Sequence, residues 1–440
     1  MGRSQSSSRR VVITGLGLIS PLGNTPEGLW SSLSKGTSGV VAMGDSFPSI
    51  IASYGGQARE FSGDIDGFGP LDGETRKAIR KGLKIMCRES QMGVAAAQRA
   101  IHDAGLSAAN HEPERVGVVF GSDYMMTMPE EFTAGIKECV DAENKFQFSR
   151  WAGPGMDKMP PLWLLKYLPN MPASHIAIYN DMRGHSNSIT HREAAANLAI
   201  GEAFRVIQRN HADLMVAGAT GTRVHPMKAV HARQQEELAD PALVPAEASR
   251  PFDLRRTGMV LGEGAGAIIL EELGVAQARG TKIYGEVVGF GSSSVADRDL
   301  TPHRDVALAN AMRAALADAG AKLEEIGHIQ AHGLSTHSCD AEEAAAIESV
   351  FGAVSKKLPV TAAKSYFGNL GAGSGLVELI AGLLALDAGR LFPILNYRTP
   401  DPKCPVAAVT SHDTPSGDCF LNLNVTPQGQ AACILVRRFV

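Results

Sequence analysis

The 440-residue chain is long enough to bury a large core, either in two similar halves or in one fused unit. Hydrophobic residues make up 44% of the chain and charged residues 20%, and the formal net charge is −4. This small negative charge provides no long-range attraction to nucleic acid or anionic lipid, so we expect neither to be a partner.

The N-terminus, MGRSQSSSRR, leads directly into the strand-like sequence VVITGLG. It lacks the apolar stretch of a signal peptide, and we predict that residues 1–10 form a disordered tail. Beta-branched segments that end in glycine then alternate with alanine-rich helical stretches, which predicts an α/β fold with largely parallel strands and helices on both sheet faces. The predicted strands are residues 11–17, 116–121, 214–218 and 283–289.

Residues 124–170 interrupt this alternation. The segment contains several methionines and prolines together with Trp151 and Trp163, and it follows no helical or strand period. We interpret it as a long insertion that forms an interface or a substrate lid. A simple surface excursion is the alternative.

An internal repeat indicates a duplicated chain. The segment AQRAIHDAG, which ends at Gly105, precedes ERVGVVFGS, and AMRAALADAG, which ends at Gly320, precedes EEIGHIQAHG. We therefore predict two halves, residues 11–275 and 276–440, with a boundary near residues 273–281. Alternatively, the succession of helix, glycine and strand is only a common sequence pattern of α/β proteins and does not indicate a duplication.

Neither a membrane span nor a metal site is predicted. The longest apolar run, residues 376–386, contains Glu378 and is shorter than the roughly 20 residues that cross a bilayer. The six cysteines show no C-x-x-C spacing, and the thirteen histidines form no H-E-x-x-H motif. This cysteine usage favours a reducing cytoplasm.

Four segments in order resemble the β-ketoacyl-acyl carrier protein synthases, the condensing enzymes of fatty acid and polyketide synthesis. They are VVITGLGLISPLGNTPEGLWSSLSKGTSGV from residue 11, RPFDLRRTGMVLGEGAGAIILEE from 250, AHGLSTHSCDAEE from 331 and AAKSYFGNLGAGSGLVE from 362. The resemblance implies the thiolase-like fold, in which two duplicated βαβαβαββ halves form a five-layer α-β-α-β-α sandwich.

The family's reaction uses a cysteine thiolate at an elbow between a strand and a helix. The resemblance places this elbow within GHSNSITHREAAANLAIGEAFRVI, and the nucleophile position falls on Glu193. A carboxylate cannot hold an acyl chain as a stable thioester, so we expect ordinary condensation to fail. Alternatively, Glu193 is only a helix-start carboxylate that the helix dipole favours.

The resemblance also assigns the other catalytic positions. His332 matches the first family histidine, whereas Asn369 stands at the second, where an amide cannot carry a proton. Lys364 matches the family lysine, which pairs with a glutamate. The remaining implied residues are Ser335 and Thr336 for substrate binding, and Glu378 and Asp340 for structural support.

Two further features separate this chain from the family pattern, and three other residues near the motifs are candidates for catalysis. Leu334 replaces one hydroxyl that would bind the pantetheine arm, and LNLNVTPQGQAA replaces a glycine-rich gating loop. We interpret Cys339 as a small buried residue rather than a displaced nucleophile. His185 and His191 flank the elbow and either assist Glu193 or are ordinary loop residues.

Three functional hypotheses follow from the resemblance. The favoured one is a non-condensing homologue that pairs with an active ketosynthase, as chain-length factors do. The second is an enzyme of altered chemistry, which decarboxylates malonyl-acyl carrier protein or hydrolyses a thioester through Glu193. The third is an ordinary condensing enzyme. Each implies acyl carrier protein as partner, no cofactor beyond its phosphopantetheine arm, and a dimer joined through a central strand, either with a second copy or with an active paralogue.

Overall fold

The computed structural model describes residues 9–44, 52–107 and 111–440. Residues 1–8, which are most of the predicted tail at residues 1–10, lie outside the described part of the chain. Arg9 and Arg10 are described, and they form ion pairs with Asp213 and Glu286, respectively.

The strands and helices alternate along most of the chain. The strands are β1 Val11–Ile19, β2 Val40–Ala42, β3 Tyr54–Gly56, β4 Val116–Ser122, β5 Ser186–Thr190, β6 Leu214–Thr222, β7 Glu263–Glu272, β8 Gly285–Ser294, β9 His328–Gln330, β10 Pro359–Thr361, β11 Ala407–Ala408, β12 Cys419–Val425 and β13 Gln430–Arg437. The helices are α1 Pro26–Lys35, α2 Gly73–Gly82, α3 Arg88–Asp103, α4 Thr133–Glu138, α5 Met171–Tyr179, α6 Ala195–Gln208, α7 Pro226–Gln235, α8 Leu273–Arg279, α9 Arg304–Ala319, α10 His337–Phe351, α11 Lys364–Phe367 and α12 Ser374–Ala388.

The strand order shows the duplication directly. One half has the order β5-β4-β6-β7-β1, and the other half repeats it as β10-β9-β12-β13-β8. In each half the first two pairings are parallel and the last two are antiparallel. The two orders meet where β1 pairs with β8 over three residues.

The expectation of largely parallel strands is therefore wrong for half of these pairings. The antiparallel strands β7 and β13 are buried along most of their length, as the parallel strands β4 and β9 are. A strand buried on both faces forms a continuous apolar run whichever way it points, so the hydrophobic pattern does not report its direction.

Helices pack in three layers around the two half-sheets. Helix α3 packs on β1, β6 and β7, while α9 packs on β8 and β13 with α10 behind it. Helices α6 and α12 contact each other and reach strands of both halves, so they form the middle layer. The result is the predicted α-β-α-β-α sandwich.

A close contact between strand and helix occurs at matching places in the two halves. A Cβ atom added to Gly17 in β1 would lie 2.0 Å from the carbonyl oxygen of Ala96 in α3. A Cβ atom added to Gly291 in β8 would lie 2.1 Å from the carbonyl oxygen of Ala311 in α9. Because no side chain fits in either gap, glycine allows the helix to lie directly on the strand.

The apolar C-terminal helix belongs to the core. In the described residues, the stretch Gly371–Ala388 is long and apolar enough to cross a membrane, but 83% of it is buried inside the protein. Such burial is typical of a core helix. All six cysteines are free and buried.

Candidate active site

A sharp turn between β5 and α6 positions Glu193. Arg192 has a φ of 50°, a left-handed conformation that is uncommon for a residue with a side chain. A 3-10 turn, Arg192–Ala194, then leads into α6, and Glu193 is only 2% exposed. The predicted elbow between a strand and a helix is therefore present, with Glu193 buried at its bend.

The Glu193 carboxylate is held by two neighbours. Its Oε1 accepts hydrogen bonds from Nη2 of Arg223 at 2.6 Å and from Nδ2 of Asn369 at 3.1 Å. Burial by itself would raise the pKa of Glu193, but the charges of Arg223 and Arg192 hold it well below its ordinary value of 4.5. Glu193 is thus a fixed anion at neutral pH.

Arg223 and Asp123 belong to this site, although the sequence analysis did not identify them. Nη1 of Arg223 lies 2.7 Å from Oδ2 of Asp123, and both side chains are buried. Asp123 directly follows β4 and Arg223 directly follows β6, and these two strands are parallel neighbours. Charged residues just after two buried strands were the available signal, because parallel neighbours end at the same sheet edge.

His332 and Lys364 form the opposite part of the site. Nζ of Lys364 donates to the carbonyl oxygen of His332 at 2.8 Å and pairs with the Glu378 carboxylate, which also accepts from Nδ2 of Asn424 at 2.9 Å. Burial and the Lys364 charge lower the pKa of His332 well below its ordinary value. His332 is therefore neutral at physiological pH.

Two carboxylates fix the segment that carries His332. Glu343 accepts backbone N–H bonds from His332 at 2.6 Å and Gly333 at 2.8 Å, and burial raises its pKa to about 7. Asp340 accepts backbone N–H bonds from Ser335 at 2.9 Å and Phe252 at 2.8 Å. Asp340 was expected to support the site, whereas Glu343 was not identified.

The hydroxyls of Ser335 and Thr336 are both engaged within the protein. Oγ of Ser335 accepts the backbone N–H of Arg250 at 2.9 Å, and Oγ1 of Thr336 caps α10 by accepting the backbone N–H of Cys339 at 3.3 Å. Both residues are fully buried, and neither lines the cavity beside Glu193. Each hydroxyl keeps its O–H donor, but because both are fully buried, their predicted role in binding a substrate requires the surrounding residues to move.

Three of the four predicted catalytic residues meet at a very small cavity. It has a volume of about 10 Å³, which is about the space of one water molecule. Its lining residues are Arg192, Glu193, Ala232, Glu236, Met259, Arg304, His332, Leu334, Cys339, Asn369, Val425, Thr426 and Pro427. The structure thus places Glu193, His332 and Asn369 around one point, while Lys364 lies behind His332.

Cys339 is in the wall of this cavity and not only in the turn of its own motif. Burial raises the pKa of its thiol well above the ordinary value, so the thiolate is strongly disfavoured. Cys339 therefore remains a protonated thiol at neutral pH. Burial also raises the pKa of the neighbouring Glu236 to about 7, although Arg304 pairs with it at 2.7 Å.

A tight hairpin lies against the cavity at the segment where the resemblance implied a lost glycine-rich loop. The N–H of Gly429 donates to the carbonyl oxygen of Thr426 at 3.1 Å, which closes the turn between β12 and β13. The N–H of Val295 donates to the carbonyl oxygen of Gly429 at 3.0 Å and ties the hairpin to a neighbouring loop. The sequence change therefore corresponds to a short, anchored turn.

The two histidines near the elbow lie outside the cavity. His185 is exposed and contacts Oε1 of Glu202 at 2.7 Å, and His191 is also exposed. In the described ranges, no group of three or more histidine, cysteine, aspartate or glutamate side chains is placed to hold a metal ion.

Comparison with protein families gives the same architecture. Residues 8–276 match the β-ketoacyl synthase N-terminal domain, and residues 284–398 match the β-ketoacyl synthase C-terminal domain. The chain belongs to the β-ketoacyl synthase family. Its motifs, its duplicated halves and its buried lysine, histidine and glutamate all agree with membership of this family of fatty acid and polyketide synthesis.

Known β-ketoacyl synthases are similar over nearly the whole chain. A 3-oxoacyl-[acyl-carrier-protein] synthase 2 from Synechocystis is 34% identical over 90% of both chains, and one from Staphylococcus aureus N315 is 31% identical over 91% of both. Among solved structures, the ishigamide ketosynthase/chain length factor is 27% identical with a TM-score of 0.82, covering 99% of this chain and 100% of that one. A β-ketoacyl synthase from Burkholderia phymatum is 26% identical with a TM-score of 0.83, covering 98% and 100%.

Proposed function

We propose that this β-ketoacyl synthase homologue does not condense acyl chains itself and acts as the partner of an active ketosynthase, as a chain-length factor does. The observation that carries the proposal is the buried Glu193 carboxylate at the elbow, held by Arg223 and Asn369 beside a cavity of about 10 Å³. In this role the fold shapes a partner's acyl pocket and needs no nucleophile of its own.

The chemistry of residue 193 supports this proposal. Condensation needs a thiolate that exchanges with a carrier thioester and keeps the acyl group until the second substrate arrives. A carboxylate would give a mixed anhydride, which water cleaves. Cys339 is the cysteine that lines the cavity, and its raised pKa makes it a poor nucleophile.

The enolate-stabilising part of the site also differs from that of a condensing enzyme. Asn369 is a neutral amide whose Nδ2 already donates to Glu193. His332 is neutral and buried, and it lies beside the Lys364 ammonium. One histidine and one engaged amide offer less stabilisation of a developing negative charge than the family's histidine pair would.

The surface next to the elbow is suited to a second ketosynthase-fold chain. β5 is the last strand of the sheet, so its outer edge can accept another strand. Ile178 lies in α5, which contacts β5, and it is apolar and 72% exposed; Phe148 in the 124–170 insertion is a second exposed apolar residue, at 78%. A partner on β5 would lie close to Glu193, because the elbow follows this strand directly.

We also propose acyl carrier protein as the carrier of the acyl chains and the cytoplasm as the location. One structural neighbour, 25% identical with a TM-score of 0.80, is a type II PKS acyl-carrier protein in complex with its ketosynthase bound to the hexaketide. That carrier belongs to the neighbour, and its presence supports the same partner class here. Six free buried cysteines are compatible with a reducing compartment.

A second candidate function is thioester hydrolysis or malonyl decarboxylation. Among the described residues, Oε2 of the buried Glu193 accepts no hydrogen bond, and the adjacent cavity has space for about one water molecule. Glu193 could therefore position a water molecule. Its strongly lowered pKa opposes this function, because a carboxylate that holds protons so weakly is a poor general base.

The decisive experiment uses the purified chain with malonyl-acyl carrier protein and long-chain acyl-acyl carrier protein. We expect no carbon dioxide release, no free acid and no acyl adduct by intact-protein mass spectrometry. An active condensing ketosynthase, assayed in parallel, shows that the substrates are competent. Free acid would support the second candidate, carbon dioxide would support either this candidate or an ordinary condensing enzyme, and an acyl adduct on a cysteine would overturn the proposal in favour of the condensing enzyme.

A further inference from the structure

We infer that Arg223 and Asp123 close the space behind the elbow to acyl groups, whichever residue stands at position 193. This inference rests on the proposed non-condensing function and adds a second cause of it. Arg223, Asp123 and Glu193 are here called the buried charge cluster.

The cluster is a continuous set of contacts. The Arg223 guanidinium bridges Asp123 at 2.7 Å and Glu193 at 2.6 Å, and the exposed side-chain fractions are 1%, 4% and 3%. A Cβ atom added to Gly371 would lie 3.5 Å from Nε of Arg223, so the guanidinium also lies against the turn that leads into α12. Its side chain therefore fills the region between two strand ends, the elbow and this turn.

The charges make the members dependent on one another. One guanidinium faces two carboxylates, and Nε of Arg192 lies 3.5 Å from Glu193 as a second positive group. Removing either Glu193 or Arg223 alone leaves a buried charge with fewer partners, which is strongly unfavourable. A change at position 193 therefore cannot be separated from Arg223.

A cysteine at position 193 would not restore the site. Its sulfur lies about two bonds short of the carboxylate oxygens of Glu193. It would therefore not reach Arg223, and the guanidinium would stay in place. The thiol would then face a buried ion pair where a condensing site needs apolar space for the acyl chain. Neutral small residues at positions 123 and 223 are needed to vacate that space.

The first test uses Glu193→Cys alone and Glu193→Cys combined with Asp123→Ala and Arg223→Ala. Each folded protein is incubated with a short-chain acyl-pantetheine thioester and examined by intact and peptide mass spectrometry, with the wild-type chain as control for the native cysteines. We expect Glu193→Cys alone to match the wild type, and the triple variant to carry at least about tenfold more label at position 193. Equal labelling of the two variants, at any level, overturns the inference.

The outcomes of the two proposals remain distinct. Acylation or turnover of the wild-type chain overturns the proposed function, whereas this inference depends on the difference between the two Glu193→Cys variants. Each result therefore bears on one of the two proposals only.

A second test does not depend on acylation, and it can be carried out even if the triple variant folds poorly. Thermal unfolding is measured for Glu193→Gln, Arg223→Met and the double variant, which together form a double-mutant cycle. We expect each single variant to lower the melting temperature by several degrees and the double variant to lower it by clearly less than the sum. Additive losses would show that Arg223 and Glu193 are not coupled and would overturn the inference.

Discussion

The ammonium of Lys364 lies 2.8 Å from the carbonyl oxygen and 3.3 Å from Nδ1 of His332. It also pairs with Glu378, so one buried cation joins the loop after β9 to α12. Burial raises the pKa of Glu378, and Lys364 opposes this by stabilising the carboxylate. These contacts fix the position of His332 whether or not the site is catalytic.

Lys364→Met should destabilise the fold strongly. It leaves the Glu378 carboxylate buried without its cation, and breaking a buried pair in this way costs about 3–5 kcal/mol. Urea unfolding measures the loss, and adding Glu378→Gln should recover part of it. Lys145→Met is the matched control, because Lys145 and its partner Glu143 are 70% and 74% exposed. Equal losses in the two lysine variants would contradict the structural role of Lys364.

Gly17→Ala and Gly291→Ala should each destabilise the protein by about 1–3 kcal/mol, the usual cost of forcing an atom into a packed core. The added Cβ would lie 2.0 Å from a carbonyl oxygen of α3 in the first case and 2.1 Å from one of α9 in the second. Gly73→Ala is the control, since no atom lies within 4 Å of its added Cβ. Urea unfolding measures the loss in free energy of unfolding. Equal losses in all three variants would contradict the close strand-to-helix contacts at Gly17 and Gly291.

The fold could be predicted because its signals are local and repeated. The phrase before Gly105 recurs before Gly320, and both glycines end a helix that packs on the first strand of its half. Strand direction could not be predicted in the same way, because β7 and β13 are buried along most of their length and show no polar alternation. Only the tertiary arrangement determines which way they run.

The site residues that lie in sequence motifs could be predicted, whereas those brought together only by the strand order could not. Glu193, His332 and Asn369 come from three separate motifs and line one cavity. Arg223 and Asp123 are distant from Glu193 along the chain, and each reads as an ordinary charged residue after a strand. They meet because β4 and β6 are parallel neighbours that end at the same edge.

The stabilising effect of Glu193 should depend on pH. Its pKa in the folded protein lies below the ordinary value of 4.5, so the unfolded chain takes up the proton first as the pH falls. The stabilisation is therefore complete above about pH 5 and declines below about pH 4.5. Glu193→Gln, which does not titrate, should be less stable than wild type by about 3 kcal/mol at pH 7 and approach it near pH 3.

Urea unfolding of the two proteins at several pH values between 3 and 7 measures this gap. Glu343, whose pKa is about 7, titrates in both proteins, so its effect cancels in the difference. The pKa of Glu236, also about 7, is raised in part by the charge of Glu193, so Glu236→Gln is introduced into both proteins. A gap that stays constant from pH 7 to pH 3 would mean that Glu193 is not an ion-paired carboxylate in the folded protein.

Charges placed on the exposed apolar side chains of α5 and of the 124–170 insertion should weaken association with a partner chain. Phe148→Asp and Ile178→Asp each put a carboxylate on a side chain that is more than two-thirds exposed, so they should leave the folded chain intact while opposing burial of this surface. For a homodimer, sedimentation velocity would show a shift toward monomer. For a heterodimer, a binding assay would show weaker capture of a cysteine-bearing ketosynthase. Leu300→Asp is the control, because Leu300 is 82% exposed on the loop after β8. Unchanged association in the Phe148 and Ile178 variants would place the partner on another surface.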